Sequence, residues 1–174
     1  MIRDFIHIKN NFLTKEEAEK IIDIFINHTD QYYQIGGFSY YDIENNLKLL
    51  NFEKLDFLKG RIQKELDFYL TLYPEARIPM TLKEQKFKHW KPGTSFEVWH
   101  SEVNSKINMT RILNFMIYLS SHNCGTQFFN KKIILSEVGK LVMFPSYFTH
   151  THRGQACPDN KDRYILSGYF NLIN

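Results

Sequence analysis

Cysteine is scarce in this sequence: two residues in 174, Cys124 and Cys157. No CxxC and no Cys/His zinc pattern surrounds them. A chain of this length does not need a staple, so both are expected as free thiols. Long apolar runs are also missing. None approaches the ~20 residues of a membrane-spanning helix, and the opening "MIRDFIHIKNNF" carries charges throughout, unlike a secretory signal. The expectation is a soluble, cytoplasmic protein with no membrane partner. Strong charge of one sign is absent as well. A formal net charge of +3 permits an anionic ligand but is no footprint of nucleic-acid binding. Internal repeats and linkers are lacking, so one domain over 1–174 is expected.

The chain does have apolar and aromatic side chains, at 43 % hydrophobic and 16 % aromatic, which excludes a disordered chain and suits strands around a lined pocket. "TKEE" at 14–17 reads as a capping box with Thr14 as N-cap. A helix is expected from there to about His28, burying Ala18, Ile21, Ile22 and Phe25. A second is expected through about 53–72, with a stripe of Leu55, Leu58, Ile62, Leu66 and Tyr69. Residues 2–8 alternate weakly, as an edge strand would. "YYQIGGFSYYDI" (32–43) reads either as a packed aromatic hairpin or as a mobile loop that could serve as a lid. "HWKPGTSF" is a second candidate substrate loop.

After "YPEARIP" the period changes. "EQKFKHW", "SFEVWHSEV", "TRILNFMIYLS", "GTQFFN", "KKIILSEV", "KLVMFPS" and "RYILSGYFNL" are short strand-like runs separated by turn residues. Two helices followed by seven or eight strands predict an α+β fold: helical support over about 1–80 and a sandwich or barrel over about 81–174.

Within "VWHSEV", strand alternation puts His100 and Glu102 on one face. Two histidines and one carboxylate suit a non-haem Fe(II) centre with open positions. Alone, an H-x-E reads rather as an ordinary polar pair on a solvated strand face. "KLVMFPSYFTHTHRG" supplies further histidines, His150 and His152. Eleven residues after His152 comes Arg163, which could fork onto a carboxylate ligand or pair on the surface with Asp159 or Asp162. His7, His28, His89 and His122 have no partner at ligand spacing and read as surface or core histidines.

Taken in order, the H-x-E, "RILNFMIYL", the G-T-x-F turn, "GKLVMFPSYFTHTHRG" and "RYILSGYF" resemble the 2-oxoglutarate- and Fe(II)-dependent dioxygenases. The nearest resemblance is to the prolyl-4-hydroxylase-like branch, in its compact bacterial and bacteriophage forms. It covers about residues 85–172. It implies a double-stranded β-helix (jelly roll) core and oxidative decarboxylation of 2-oxoglutarate to succinate and CO2, driven by O2 and coupled to hydroxylation of a second substrate. It further implies His100, Glu102 and His152 as iron ligands: the "HRG" match selects His152, whereas the spacing after "FPS" in some related oxygenases would select His150. Arg163 would hold the distal carboxylate of 2-oxoglutarate, with Tyr118 hydrogen-bonding to it. Tyr169 would stand at the pocket wall. Thr126 would face the pocket beyond the bend at Gly125. Trp90 stands where related hydroxylases often carry a tyrosine, and it lacks that hydroxyl. Glu102 departs from the commoner aspartate, although "WHSE" matches a compact branch that writes W-H-x-E. The branch suggests a prolyl or other residue in a peptide or protein as substrate, and the charge also permits a small molecule. Two other classes use a similar ligand set: a metal- or ligand-binding jelly-roll module without turnover, and a hydrolytic zinc enzyme. Neither needs Arg163.

Overall fold

The computed structural model describes residues 3–28, 30, 32–35, 38–43 and 55–173. The helix after "TKEE" forms as α1 (Lys15–Ile26). The Thr14 hydroxyl accepts from the Glu17 amide, and the Glu17 carboxylate accepts from the Thr14 amide, so two otherwise orphaned donors are satisfied. Its inward stripe buries Ala18, Ile21 and Phe25. The second helix, α2 (Asp56–Leu72), buries Leu58, Ile62, Leu66 and Tyr69 at helical spacing, just after the buried Leu55. A short 3-10 turn at Pro74–Ala76 follows it.

Among the described residues ten strands complete the fold: β1 (His7–Lys9), β2 (Tyr33–Ile35), β3 (Phe38–Asp42), β4 (Met80–Trp90), β5 (Arg111–Tyr118), β6 (Gly125–Phe128), β7 (Ile133–Leu135), β8 (Leu141–Pro145), β9 (His152–Gly154) and β10 (Arg163–Leu172). One sheet of seven strands runs β1-β8-β5-β10-β4-β3-β2, and one of three runs β7-β6-β9. Period-2 alternation explains how the layers assemble. On β5 and β8, Leu113, Phe115, Ile117, Leu141 and Met143 join the core shared with both helices. Their alternate neighbours Met116, Tyr118, Val142 and Phe144 pack with Phe128 and Ile134 of the small sheet. The result is a β-sandwich of jelly-roll type with two helices on one face of its large sheet.

Three expectations need correction. "SFEVWHSEV" is not a strand. Only His100 forms a bridge, to His152, and the Val103 amide finds the Ser146 carbonyl instead of a ladder partner. The first 80 residues are not purely helical support, because β1, β2 and β3 all join the large sheet. Cys124 and Cys157 are not free thiols but bonded to each other, with Cα atoms 5.1 Å apart. Cys124 directly precedes β6, and the Gln155 amide donates to the Gly125 carbonyl, so the two chain segments carrying the cysteines run side by side.

Within the 32–43 stretch, β2 and β3 form an antiparallel pair at the sheet edge. Tyr41 is fully buried, and Phe38 stacks on Trp90 with ring centroids 4.0 Å apart. Gly36 and Gly37, on which a lid would hinge, lie outside the described residues. No helix among the described residues is long and apolar enough to cross a membrane.

Candidate active site

His100, Glu102 and His152 meet, with ligand atoms within 4.8 Å of one another. The backbone brings them together: the His100 amide donates to the His152 carbonyl at 3.0 Å, and the His152 amide returns the bond at 2.9 Å. Nδ1 of His100 donates to the Val98 carbonyl at 2.8 Å, and Nδ1 of His152 to the His150 carbonyl at 2.9 Å. Carbonyls only accept, so each neutral ring is left with a lone pair on Nε2. Those lone pairs face Glu102 Oε1, at 3.8 Å from His100 and 3.4 Å from His152. Three acceptors converging without a proton between them suit a cation.

Glu102 is buried and held from both sides. Tyr169 donates its hydroxyl to Oε2 at 2.6 Å, and Asn114 Nδ2 donates to Oε1 at 3.2 Å. Burial alone would raise the carboxyl. Contact with His152, the charge of Lys88 and the Tyr169 hydroxyl outweigh it and hold the group well below the usual carboxylate range. Burial and the neighbouring His152 push the His100 imidazole down, toward its neutral, ligating form.

These side chains open onto a cavity of about 210 Å3, lined among others by Trp90, Phe96, Thr126, Gly154 and Arg163. Arg163 is 3 % exposed, yet no carboxylate pairs with it among the described residues. The two aspartates that could have paired with it are engaged elsewhere, Asp159 with His122 at 2.8 Å and Asp162 with His89 at 3.4 Å. Nη1 of Arg163 donates to the Gln155 carbonyl and to both bonded sulfurs, and Nη2 donates to Ser95 Oγ. Among the described residues Nε has no partner, and neither does the buried indole N–H of Trp90, whose ring lies under the guanidinium. A buried cation with unpaired donors beside it is costly unless an anion arrives. A carboxylate fits this end of the cavity as a metal fits the other.

Tyr118 is fully buried behind Thr126, donating to its hydroxyl at 2.7 Å. Burial pushes its phenol up to about 12, so it remains a donor. Thr126 itself lines the cavity. Gly125 is needed for close approach, since a Cβ there would fall on the Ile134 carbonyl. His150 lies apart from the cluster: its Nε2 bonds to the Asp4 carbonyl at 2.7 Å, and its Nδ1 to Thr149 Oγ1. It lines a different cavity of about 640 Å3, which includes none of His100, Glu102, His152 and Arg163. His122 is less isolated than its spacing implied, grouping with Asp159 and Cys157, but the Cys157 sulfur is taken by Cys124.

Sequence reasoning missed Asn114, Ser95 and Lys88, and it gave Trp90 no donor role. A signal existed for two of them. Asn114 interrupts the apolar run "RILNFMIYL". Lys88 shares a strand face with Trp90, two residues away.

No protein-family model and no curated protein matches the sequence. Solved structures do. A viral collagen prolyl hydroxylase of Paramecium bursaria Chlorella virus-1, in complex with 2-oxoglutarate, superposes with a TM-score of 0.71 at 15 % identity, over 97 % of each chain. A Pseudomonas putida prolyl-4-hydroxylase gives 0.73 at 14 %, over 97 % of this chain and 93 % of that one. A Trichoplax adhaerens prolyl hydroxylase, bound to a peptide fragment of the hypoxia-inducible factor oxygen degradation domain, gives 0.75 at 13 %, over 97 % and 84 %. Over nearly its whole length, the chain has the fold of these prolyl hydroxylases.

Proposed function

We propose that this protein is a 2-oxoglutarate- and Fe(II)-dependent dioxygenase that hydroxylates a second substrate, a prolyl residue in a peptide or protein, releasing succinate and CO2. The observation that carries this reading is a pairing across one cavity: three converging acceptors at one end, and a buried guanidinium without a carboxylate at the other. A hydrolytic zinc site or a metal-binding module would have no use for the second end. Likeness to solved prolyl hydroxylases, one of them bound to a peptide, supports the substrate class. In this reading the two sheets are a double-stranded β-helix core and 1–174 acts as one domain.

His100, Glu102 and His152 would hold the iron, which when bound supplies activation of O2 and oxidative decarboxylation of 2-oxoglutarate. The chain's own residues bind and orient. Main-chain carbonyls keep both imidazoles turned toward the metal. Arg163 would fork onto the distal carboxylate, with the Trp90 N–H beside it and the Tyr118–Thr126 hydroxyl pair on the neighbouring wall. Phe38 and Phe96 give the cavity apolar wall.

The test is a turnover assay of the Fe(II)-loaded protein, following succinate from 2-oxoglutarate with and without a panel of proline-containing peptides. Peptide-stimulated succinate is expected. Arg163→Ala should weaken 2-oxoglutarate binding by roughly 3–5 kcal/mol, the cost of leaving a buried charge unpaired, while iron affinity stays nearly constant. An unchanged 2-oxoglutarate titration in that variant would remove the co-substrate from the cavity and return the protein to the binding-module class.

A further inference from the structure

The cavity contains a second basic side chain besides Arg163. Along β4 the side chains alternate, and Phe87 goes to the helical core while Lys88 and Trp90 go to the cavity. The register with β10 fixes where they stand: Trp90 opposite Arg163, Lys88 opposite Ile165, Lys86 opposite Ser167, and Glu84 opposite Tyr169. Tyr169 is the residue that holds Glu102. Lys88 therefore sits one row in from Arg163, on the side leading toward Glu102. One row along an antiparallel strand is about 7 Å, the reach of a short dicarboxylate.

Among the described residues Lys88 forms no ion pair within 4 Å. Lys86, its neighbour on the same face, has its ammonium over the Tyr40 ring instead of in the cavity. The lining thus carries two basic side chains, Lys88 and Arg163, against one carboxylate, Glu102. A divalent metal at Glu102 would tilt that balance further toward positive. Burial already pushes the Lys88 amine below its usual value, opposed by the charge of Glu102, so the ammonium gains from an acceptor. A ligand with one negative charge would satisfy only one end.

We propose that Lys88 is a second anion-holding residue of this cavity, which grips the metal-side carboxylate of bound 2-oxoglutarate while Arg163 grips the distal one. The inference rests on the co-substrate reading above. It makes the cavity a reader of both ends of a dianion, and it makes Lys88 a specificity residue for 2-oxo acids in general, with Arg163 adding selectivity for the diacid.

The experiment uses the full chain loaded with Mn(II), without oxygen chemistry, titrated calorimetrically with two probes. 2-Oxoglutarate has both carboxylates, and 2-oxopentanoate has only the metal-side one. Lys88→Met should weaken both probes by the same factor, about tenfold to a hundredfold for a charge-assisted hydrogen bond. Arg163→Met should weaken 2-oxoglutarate and leave 2-oxopentanoate unchanged. Lys88→Arg should recover most of the affinity for both. Melting temperature and Mn(II) affinity, measured on each variant, separate recognition from damage. A purely structural role for Lys88 would shift melting without the common factor on the two probes, and would overturn the proposal. So would a Lys88→Met protein that binds both probes as wild type does, or one that loses only 2-oxoglutarate, which would move Lys88 to the distal end. A wild-type chain that takes up neither acid would instead sink the co-substrate reading itself.

Discussion

Tyr169→Phe removes a single oxygen that touches the Glu102 carboxylate of the candidate metal centre. That hydroxyl donates to Glu102 Oε2 at 2.6 Å, and both residues are buried, at 4 % and 8 % exposure. Burial and the adjacent carboxylate raise the phenol well above its ordinary value, so it stays protonated and donates at any working pH. A hydrogen bond to a charged group contributes about 1.5–3 kcal/mol, and a buried acceptor that loses its donor meets no water to replace it. Asn114 still holds Oε1 after the substitution, but Oε2 keeps only Arg111, whose Nη1 is 3.9 Å away. Glu102 is then free to turn, and Oε1 no longer stands fixed before the two imidazoles. Loss of such an outer contact commonly lowers metal affinity by about tenfold to a hundredfold, or about 1.4–2.8 kcal/mol, the same size as the lost bond. The assay is competition for Fe(II) against a chromophoric chelator under nitrogen, paired with urea unfolding of the metal-free protein. Lower metal affinity together with stability lower by about 1.5–3 kcal/mol is the expected result. Wild-type metal affinity in Tyr169→Phe, whatever happens to stability, would refute the idea that this hydroxyl aims the carboxylate.

His152→Ala should abolish tight Fe(II) binding, whereas His150→Ala should retain the metal and lose only the tie to Asp4; the reverse pattern by metal analysis would make His150 the ligand. Gly139 has φ +78, and a Cβ there would fall on the Leu13 carbonyl, so Gly139→Ala should lower unfolding stability by more than the ~1–2 kcal/mol of the left-handed backbone alone. Glu84 is forked by Arg111. Burial raises its carboxyl, but the guanidinium outweighs that and holds it below 4.5. A depressed carboxylate stabilises the fold above its unfolded value and loses that contribution as pH falls through its folded value. The stability gap between wild type and Arg111→Met should therefore be widest above about pH 5 and narrow on acidification below 4.5; a gap constant with pH in urea titrations would contradict this.

What could be read in the sequence was what local periodicity encodes. Thr14 and Glu17 mark a helix start through their own two hydrogen bonds, and the Leu58–Ile62–Leu66–Tyr69 stripe needs only the helical repeat. β5, β8 and β10 carry their two-faced burial as alternation. The candidate ligands can be listed from spacing and resemblance, but strand alternation does not account for the meeting of His100 and Glu102. No strand runs there, and the pair is set by the bridge to His152, a contact 52 residues away. The Cys124–Cys157 bond was illegible for the same reason, because nothing near either cysteine records that 155–157 runs beside β6. Lys88 was legible as a face-mate of Trp90. A lysine on a strand is ordinarily solvated, and it is the register beside Arg163 that marks this one as part of the cavity.

The reciprocal bonds between the His100 and His152 main chains have a consequence for how the centre is assembled. Two ligands from distant stretches are fastened by backbone, not by the ion they would share. Their rings are further clamped to carbonyls, and Glu102 to a phenol and an amide. The ion therefore has little left to organise on arrival, and the entropy of ordering its ligands is met when the sandwich folds. Structural zinc modules work the other way, with the metal supplying the fold. Here the centre is a socket. In the proposed reading, metal would leave and return without the sheets coming apart, and which divalent ion occupies it would be set by supply and by donor chemistry more than by any rearrangement of the chain.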